Sequence, residues 1–201
     1  MPDLTVIAGC NGAGKSTFAS TFLPEGIPSF DYDKLYLEYY GSLPDSELRE
    51  SIAKNQTTND FELAIEKALL KNEDFCYETN FDSIPLFWPE KFKEKGYNLN
   101  LIFFCLENQE IAQHRIQVRT EFKGHFVDNK TIDLKWKAGY KNVNLHFTFF
   151  DNVLFVDNSR QNETFTNLLQ IEKGNLTPMV EKIPDYFKHR LPDVYKLIAN
   201  L

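Results

Sequence analysis

The amino-acid sequence predicts an α/β domain, with a mainly parallel sheet of five strands held between helices in three layers. Three observations carry this reading. Short apolar runs alternate with longer helix-like runs along all 201 residues, the pattern of strands joined by helical crossovers. The first apolar run, residues 4–8, opens directly into Gly9-Cys10-Asn11-Gly12-Ala13-Gly14-Lys15-Ser16-Thr17, which fits G-x-x-x-x-G-K-[ST] at every fixed position. Residues 98–106 are almost unbroken apolar sequence, as a central strand covered on both faces requires.

The elements follow in order. Strand 4–8, the glycine loop and a helix over 17–23 form the context in which the motif is a phosphate-binding P-loop. Its glycines let successive N–H groups point inward at a polyphosphate. Lys15 reaches the β- and γ-phosphates, the Ser16 hydroxyl holds Mg²⁺, and the helix presents its positive end. A second strand at 29–33 ends in Asp31 and Asp33. Residues 46–72 are helical, with Phe61, Ala64, Ile65, Ala68 and Leu69 on one face. A third strand at 75–79 ends in Glu78 and Thr79, and a helix to about residue 95 stops at Gly96. Helices at 109–122 and 130–142 frame a lid over about 109–142. A fifth strand occupies 153–157. Residues 165–176 suit a hairpin or edge element, and Pro184 and Pro192 break a C-terminal extension, about 161–201, into short helices. The whole is expected to be a single domain over 1–201.

Composition narrows the partners. A net charge of −7 argues against broad nucleic-acid or anionic-membrane binding. No apolar run approaches a membrane span, and the non-basic start lacks the marks of a secretory signal. Three cysteines without paired spacing, Cys10, Cys76 and Cys105, fit a reducing, cytoplasmic setting. Eighteen phenylalanines against two methionines predict an aromatic-rich core.

Ligands of open α/β sheets sit beyond the carboxyl ends of the strands, so the polar residues there are the candidates. Asp31 and Asp33, two apart, share a face if the segment is extended. One then acts as general base and the other holds Mg²⁺ through water, unless Asp33 simply caps the next helix. Glu78 and Thr79 face the same crevice. Arg115 and Arg119, four apart, project from one helix face, as a clamp on the γ-phosphate or as surface charges paired with nearby glutamates. His125 follows. Arg160, after Asp157-Asn158-Ser159, either stacks on the nucleotide base or belongs to a plain turn.

Taken together, these motifs resemble the zeta-toxin-like branch of P-loop kinases. The matching series is G-x-N-G-A-G-K-S-T at 9–17, Asp31-Tyr32-Asp33, Glu78-Thr79, Gly96-Tyr97, Arg115 with Arg119, Gly124-His125-Phe126-Val127 and Asp157-Asn158-Ser159. The resemblance implies a kinase fold using ATP or GTP with Mg²⁺. The acceptor it implies is a small-molecule hydroxyl, in zeta toxins that of a UDP-activated amino sugar. By position Asp33 matches the base, Lys15 the P-loop lysine, Ser16 the metal-binding hydroxyl and Glu78 the substrate-side acid, with Arg115 and Arg119 as lid arginines. An antitoxin-like protein is the partner such a family admits. The chain departs from the family pattern at Asp31, Lys123, Asp128 and along 132–137, where Lys135 stands in an arginine-rich region. The rival reading is a nucleotide-gated NTPase or binding protein without a small-molecule acceptor.

Overall fold

The computed structural model describes residues 1–123, 129–160 and 164–199, with only the backbone of 119–123. Five parallel strands are built where apolar runs predicted them: β1 (Asp3–Ala8), β2 (Ser29–Phe30), β3 (Phe75–Thr79), β4 (Asn98–Cys105) and β5 (Asn152–Asp157). Two more, β6 (Thr166–Glu172) and β7 (Asn175–Pro178), add an antiparallel hairpin, giving the order β2-β3-β1-β4-β5-β6-β7. The sheet is therefore seven-stranded rather than five-stranded. Leu168, Leu169 and Ile171 of β6 are buried, so the hairpin gains more by extending the sheet than by standing as an edge in water. Gly174, at φ +84°, makes its tight turn.

The helices are α1 (Lys15–Phe22), α2 (Tyr32–Ser42), α3 (Arg49–Lys71), α4 (Phe87–Glu94), α5 (Gln109–Lys123), α6 (Asn129–His146), α7 (Asp185–Arg190) and α8 (Pro192–Ala199). On α3 the predicted apolar face is in place: Phe61, Ile65 and Ala68 are buried. Asn72 ends that helix in the left-handed conformation, at φ 56°, which asparagine tolerates better than most residues. The sheet core is aromatic. Phe81, Phe92, Phe103, Phe104, Phe155 and Phe187 are fully buried. Phe61 alone touches Phe30, Tyr77 and Trp88 at centroid separations of 5.0, 5.5 and 5.7 Å. No described helix is long and apolar enough to cross a membrane.

One expectation changes. The second strand stops at Phe30, because Asp31 accepts the Lys34 N–H at 3.0 Å and caps α2. Asp33 therefore lies in the first turn of a helix, not beside Asp31 on an extended face. Within the span expected to form a lid, 109–142, Ala112 and Ile116 of α5 and Ile132, Trp136, Gly139 and Tyr140 of α6 are buried.

The topology puts the strand ends together. β1 lies between β3 and β4, with Ile7 level with Glu78 and Ala8 with Thr79, and Cys105 is level with Asp157. Phe30 is level with Tyr77, which sets Asp31 beside Glu78.

Candidate functional site

The P-loop is a compact turn. Ala13 N–H donates to Cys10 O at 3.0 Å, Gly9 N–H to Thr79 O at 3.2 Å, and Phe18 N–H to Gly14 O at 3.2 Å. Gly14 has to be glycine twice over. Its φ is +99°, and a Cβ there would stand 2.3 Å from Asn158 Nδ2. That asparagine is buried and donates to Ala13 O at 2.8 Å, so the end of β5 braces the loop from below. A Cβ on Gly12 would meet Ala112 O at 2.8 Å, so α5 braces it from above. Cys10 is buried, and burial pushes its thiol up to about 11. It is a packed loop residue, not a nucleophile.

Lys15, 8% exposed, donates from Nζ to Gly9 O at 2.7 Å and Cys10 O at 3.2 Å, with Asn80 Oδ1 at 3.5 Å. Its charge is thus held over the loop that lines a phosphate cradle. Asn80 is placed by a constrained turn. Phe81 is left-handed at φ 59°, its N–H donates to Thr79 Oγ1 at 3.0 Å, and Asn142 Nδ2 donates to Phe81 O and Asp82 O at 2.9 and 3.1 Å. Thr79 thus shapes the turn.

Ser16 Oγ lies 2.7 Å from both Asp31 Oδ2 and Glu78 Oε2. A hydroxyl carries one proton and donates to one carboxylate at a time. Burial, the leading cause, together with repulsion from Asp31, raises the Glu78 carboxyl above its ordinary range, against the lowering bond from Ser16 and the charge of Lys15. Three hard oxygens, two of them carboxylate, suit Mg²⁺, which uses one or two carboxylates and completes its shell with phosphate oxygens and water. A cleft of about 410 Å³ opens beside them, walled by α1, β2 and α2, with Asp31, Lys34, Glu38 and Glu78 among its charged lining.

Arg115 reaches the loop. Its guanidinium donates to Gly12 O and to Arg160 O, both at 3.3 Å, and burial pulls its pKa down, though an arginine remains charged. Arg160 lies at the β5 end, in a smaller cavity with Asp157 and Lys182. The structure thus brings together Lys15, Ser16, Asp31, Glu78 and Arg115. Asp33 is exposed and is absent from the cleft lining. The Arg119 side chain and His125 lie outside the described residues. Asn80 and the bracing role of Asn158 were not anticipated. Their position, directly after a strand-end motif or inside one, was the available signal.

A glycine loop at the end of β1, with strand order 2-3-1-4-5 and acids at the neighbouring strand ends, defines a P-loop kinase fold. The zeta toxin family model matches residues 1–170, and the chain belongs to that family. Solved structures agree on the fold. One is from the PezAT toxin–antitoxin system of Streptococcus pneumoniae, with TM-score 0.61 and 17% identity over 100% of this chain and 87% of that one. Another is AvrRxo1-ORF1:-ORF2 with ATP, with TM-score 0.61 and 10% identity over 98% of this chain but only 63% of that longer one. A kinase-like protein from Chloroflexus aurantiacus J-10-fl has TM-score 0.52 and 18% identity over 67% of this chain and 76% of that one. No curated protein matches the sequence.

Proposed function

We propose that this protein is a phosphotransferase moving the γ-phosphoryl group of ATP or GTP onto a hydroxyl of a small molecule. The observation that carries this reading is the meeting of Lys15 and Ser16 with Asp31 and Glu78, four groups drawn from α1, the start of α2 and β3. A nucleotide switch needs the first two and a Mg²⁺-side carboxylate, but has no use for the open cleft that these acids line. The ATP in the AvrRxo1 structure supports nucleotide as ligand here.

In this reading the P-loop N–H groups and Lys15 hold the polyphosphate, and Gly9 to Thr17 line it. Arg115, with Arg119 from the next turn of α5, bears on the γ-phosphate. Arg160 stands by the nucleotide base. Ser16, Asp31 and Glu78 would hold Mg²⁺, which when bound neutralises charge on the phosphate oxygens. Thr79 and His125 complete the substrate side. The acceptor oxygen bonds to the γ-phosphorus as the bond to the β-phosphate bridging oxygen breaks. Nucleoside diphosphate leaves, and the hydroxyl proton passes to Asp33, in the first turn of α2 between Asp31 and Lys34. Catalysis is then mainly positioning and charge stabilisation. As a zeta toxin family member the protein also has an antitoxin-like protein as its proposed partner, and the cytoplasm as its proposed site of action.

Two substitutions test the assignment of the acids. Asp33→Asn is expected to keep nucleotide affinity and lose about 10²-fold or more in turnover, the scale of a general base. Asp31→Asn is expected to weaken Mg²⁺-dependent nucleotide binding itself. Full turnover in Asp33→Asn, with the loss moved to Asp31→Asn, would transfer the base role to Asp31.

A further inference from the structure

Asn80 follows Thr79 at the end of β3, and its Oδ1 stands 3.5 Å from Lys15 Nζ. Among the described residues, Lys15 is the single polar partner of that side chain. The turn that carries it is held from several sides. Gly9 N–H donates to Thr79 O at 3.2 Å, which ties the turn to the start of the P-loop. Phe81 N–H donates to Thr79 Oγ1, Asn142 Nδ2 donates to Phe81 O and Asp82 O, and Gly139 lets α6 lie against Asn80 O. The buried Phe81 ring packs on Phe150 at 6.1 Å. Two residues of the turn are left-handed without being glycine, Phe81 at φ 59° and the β-branched Ile84 at φ 40°. Such backbone persists only where the surroundings over-determine it, and it collects at active sites. All this fixed structure places one amide against the lysine of the phosphate cradle.

The three donors of an ammonium match what Lys15 touches: Gly9 O at 2.7 Å, Cys10 O at 3.2 Å and Asn80 Oδ1. A triphosphate on the loop draws on this lysine for its β- and γ-oxygens, so two of those donors turn to phosphate. Cys10 O keeps a partner without the lysine, because Ala13 N–H donates to it at 3.0 Å. Asn80 Oδ1 has no second donor among the described residues. It also lies outside the loop, on the β3 side, from which Glu78 reaches Ser16. An ammonium that keeps its bond to Asn80 is drawn to that side, toward the third phosphate rather than back along the loop.

We propose that Asn80 is a positioning residue that holds the Lys15 ammonium at the γ-phosphate, so that the cradle distinguishes nucleoside triphosphate from diphosphate. The proposal rests on the P-loop as the triphosphate site of the phosphotransferase reading. Asn80 acts through Lys15, not on the reacting atoms, and Thr79, Gly139 and Asn142 act through Asn80.

The test measures, by calorimetry on the full chain with Mg²⁺, the affinities for ADP and for the non-hydrolysable β,γ-imido analogue of ATP, beside thermal melts. Wild type should bind the triphosphate analogue more tightly than ADP. In Asn80→Ala that preference should fall by about tenfold, the scale of one hydrogen bond to a charged group. Its Tm should stay within a few degrees of wild type, because the turn is held by other residues. Asn80→Asp, of the same shape, should lower the preference further, since its carboxylate pairs with Lys15 and repels the γ-phosphate. Asn142→Ala, which frees the turn, should also lower it, and adding Asn142→Ala to Asn80→Ala should lower it no more than Asn80→Ala alone. A wild type without the preference, a preference unchanged in Asn80→Ala or kept in Asn80→Asp, additive losses in the double variant, or equal losses for both nucleotides that track a fallen Tm would each overturn the proposal. Uptake of neither nucleotide by wild type would overturn the phosphotransferase reading beneath it.

Discussion

Glu78 shows how a residue proposed to hold the metal sits at a cost to the fold. It sits at the end of β3 with 8% of its surface exposed, and burial raises its carboxyl above the usual range. A carboxyl raised in the folded state contributes stability below its unfolded value and loses it as pH climbs through its folded value. Glu78→Gln has no such pH dependence. Its Tm relative to wild type should therefore rise as pH goes from acid to neutral, and equal or exceed wild type at pH 7, while Mg²⁺-dependent turnover falls by about tenfold or more. For the same reason, wild-type Mg²⁺ affinity should decline with acidification from a higher pH than an ordinary carboxylate dictates. Thermal melts and magnesium titrations across pH check both; a Gln variant with steadily lower Tm at neutral pH would show that the carboxylate stabilises the fold.

At the scale of elements, α6 is the least obvious part of the site. Its Tyr140 hydroxyl donates to Leu106 O at 2.8 Å and accepts the Leu106 N–H at 2.9 Å, so one side chain closes the end of β4. Gly139 lets the helix lie against the turn after β3: a Cβ there would stand 2.7 Å from Asn80 O. Alanine gains about 1 kcal/mol in helix propensity. The clash is with backbone already pinned by Asn142, and overpacking costs about 1–3 kcal/mol. Gly139→Ala should therefore lower Tm by a few degrees, at about 2–4 °C per kcal/mol for this chain length. It should also lower turnover by displacing Asn80 from Lys15, and a raised Tm with intact turnover would contradict this packing. Periodicity made α3 visible in the sequence, α5 and α6 stood out as helix-like runs, and the glycine motif made the loop visible. It did not reveal that Asp31 rather than Asp33 would cap α2, because D-x-D reads equally as strand end or helix start. The contact at Gly139 was hidden for a similar reason: a helical glycine has no signature until the neighbouring backbone is in place.

Across the whole molecule, the segment after the family match is part of the fold. Phe187 of α7, Leu191 between the two helices and Val194 of α8 are fully buried. Phe187 packs on Phe155 at 5.3 Å, and Asp193 pairs with Asn144 of α6 through two hydrogen bonds of 2.7 and 2.9 Å. Burying three such apolar side chains contributes roughly 5–9 kcal/mol at about 1.5–3 kcal/mol each, comparable with the total stability of a typical domain. A chain cut before Asp185 should lose its cooperative thermal transition; one that melts within a few degrees of the full chain would show that these helices are dispensable. The sequence marked the two helices by their prolines but gave no measure of how deeply they pack, since that depends on which face of the distant β5 they meet. The central claim, that these parts together move a phosphoryl group to a small molecule, is tested most directly with γ-labelled ATP and a metabolite extract. Wild type should place the label on a small organic product in the presence of Mg²⁺, and Lys15→Ala should place none. Label released by wild type only as inorganic phosphate, whatever acceptor is supplied, would contradict the account.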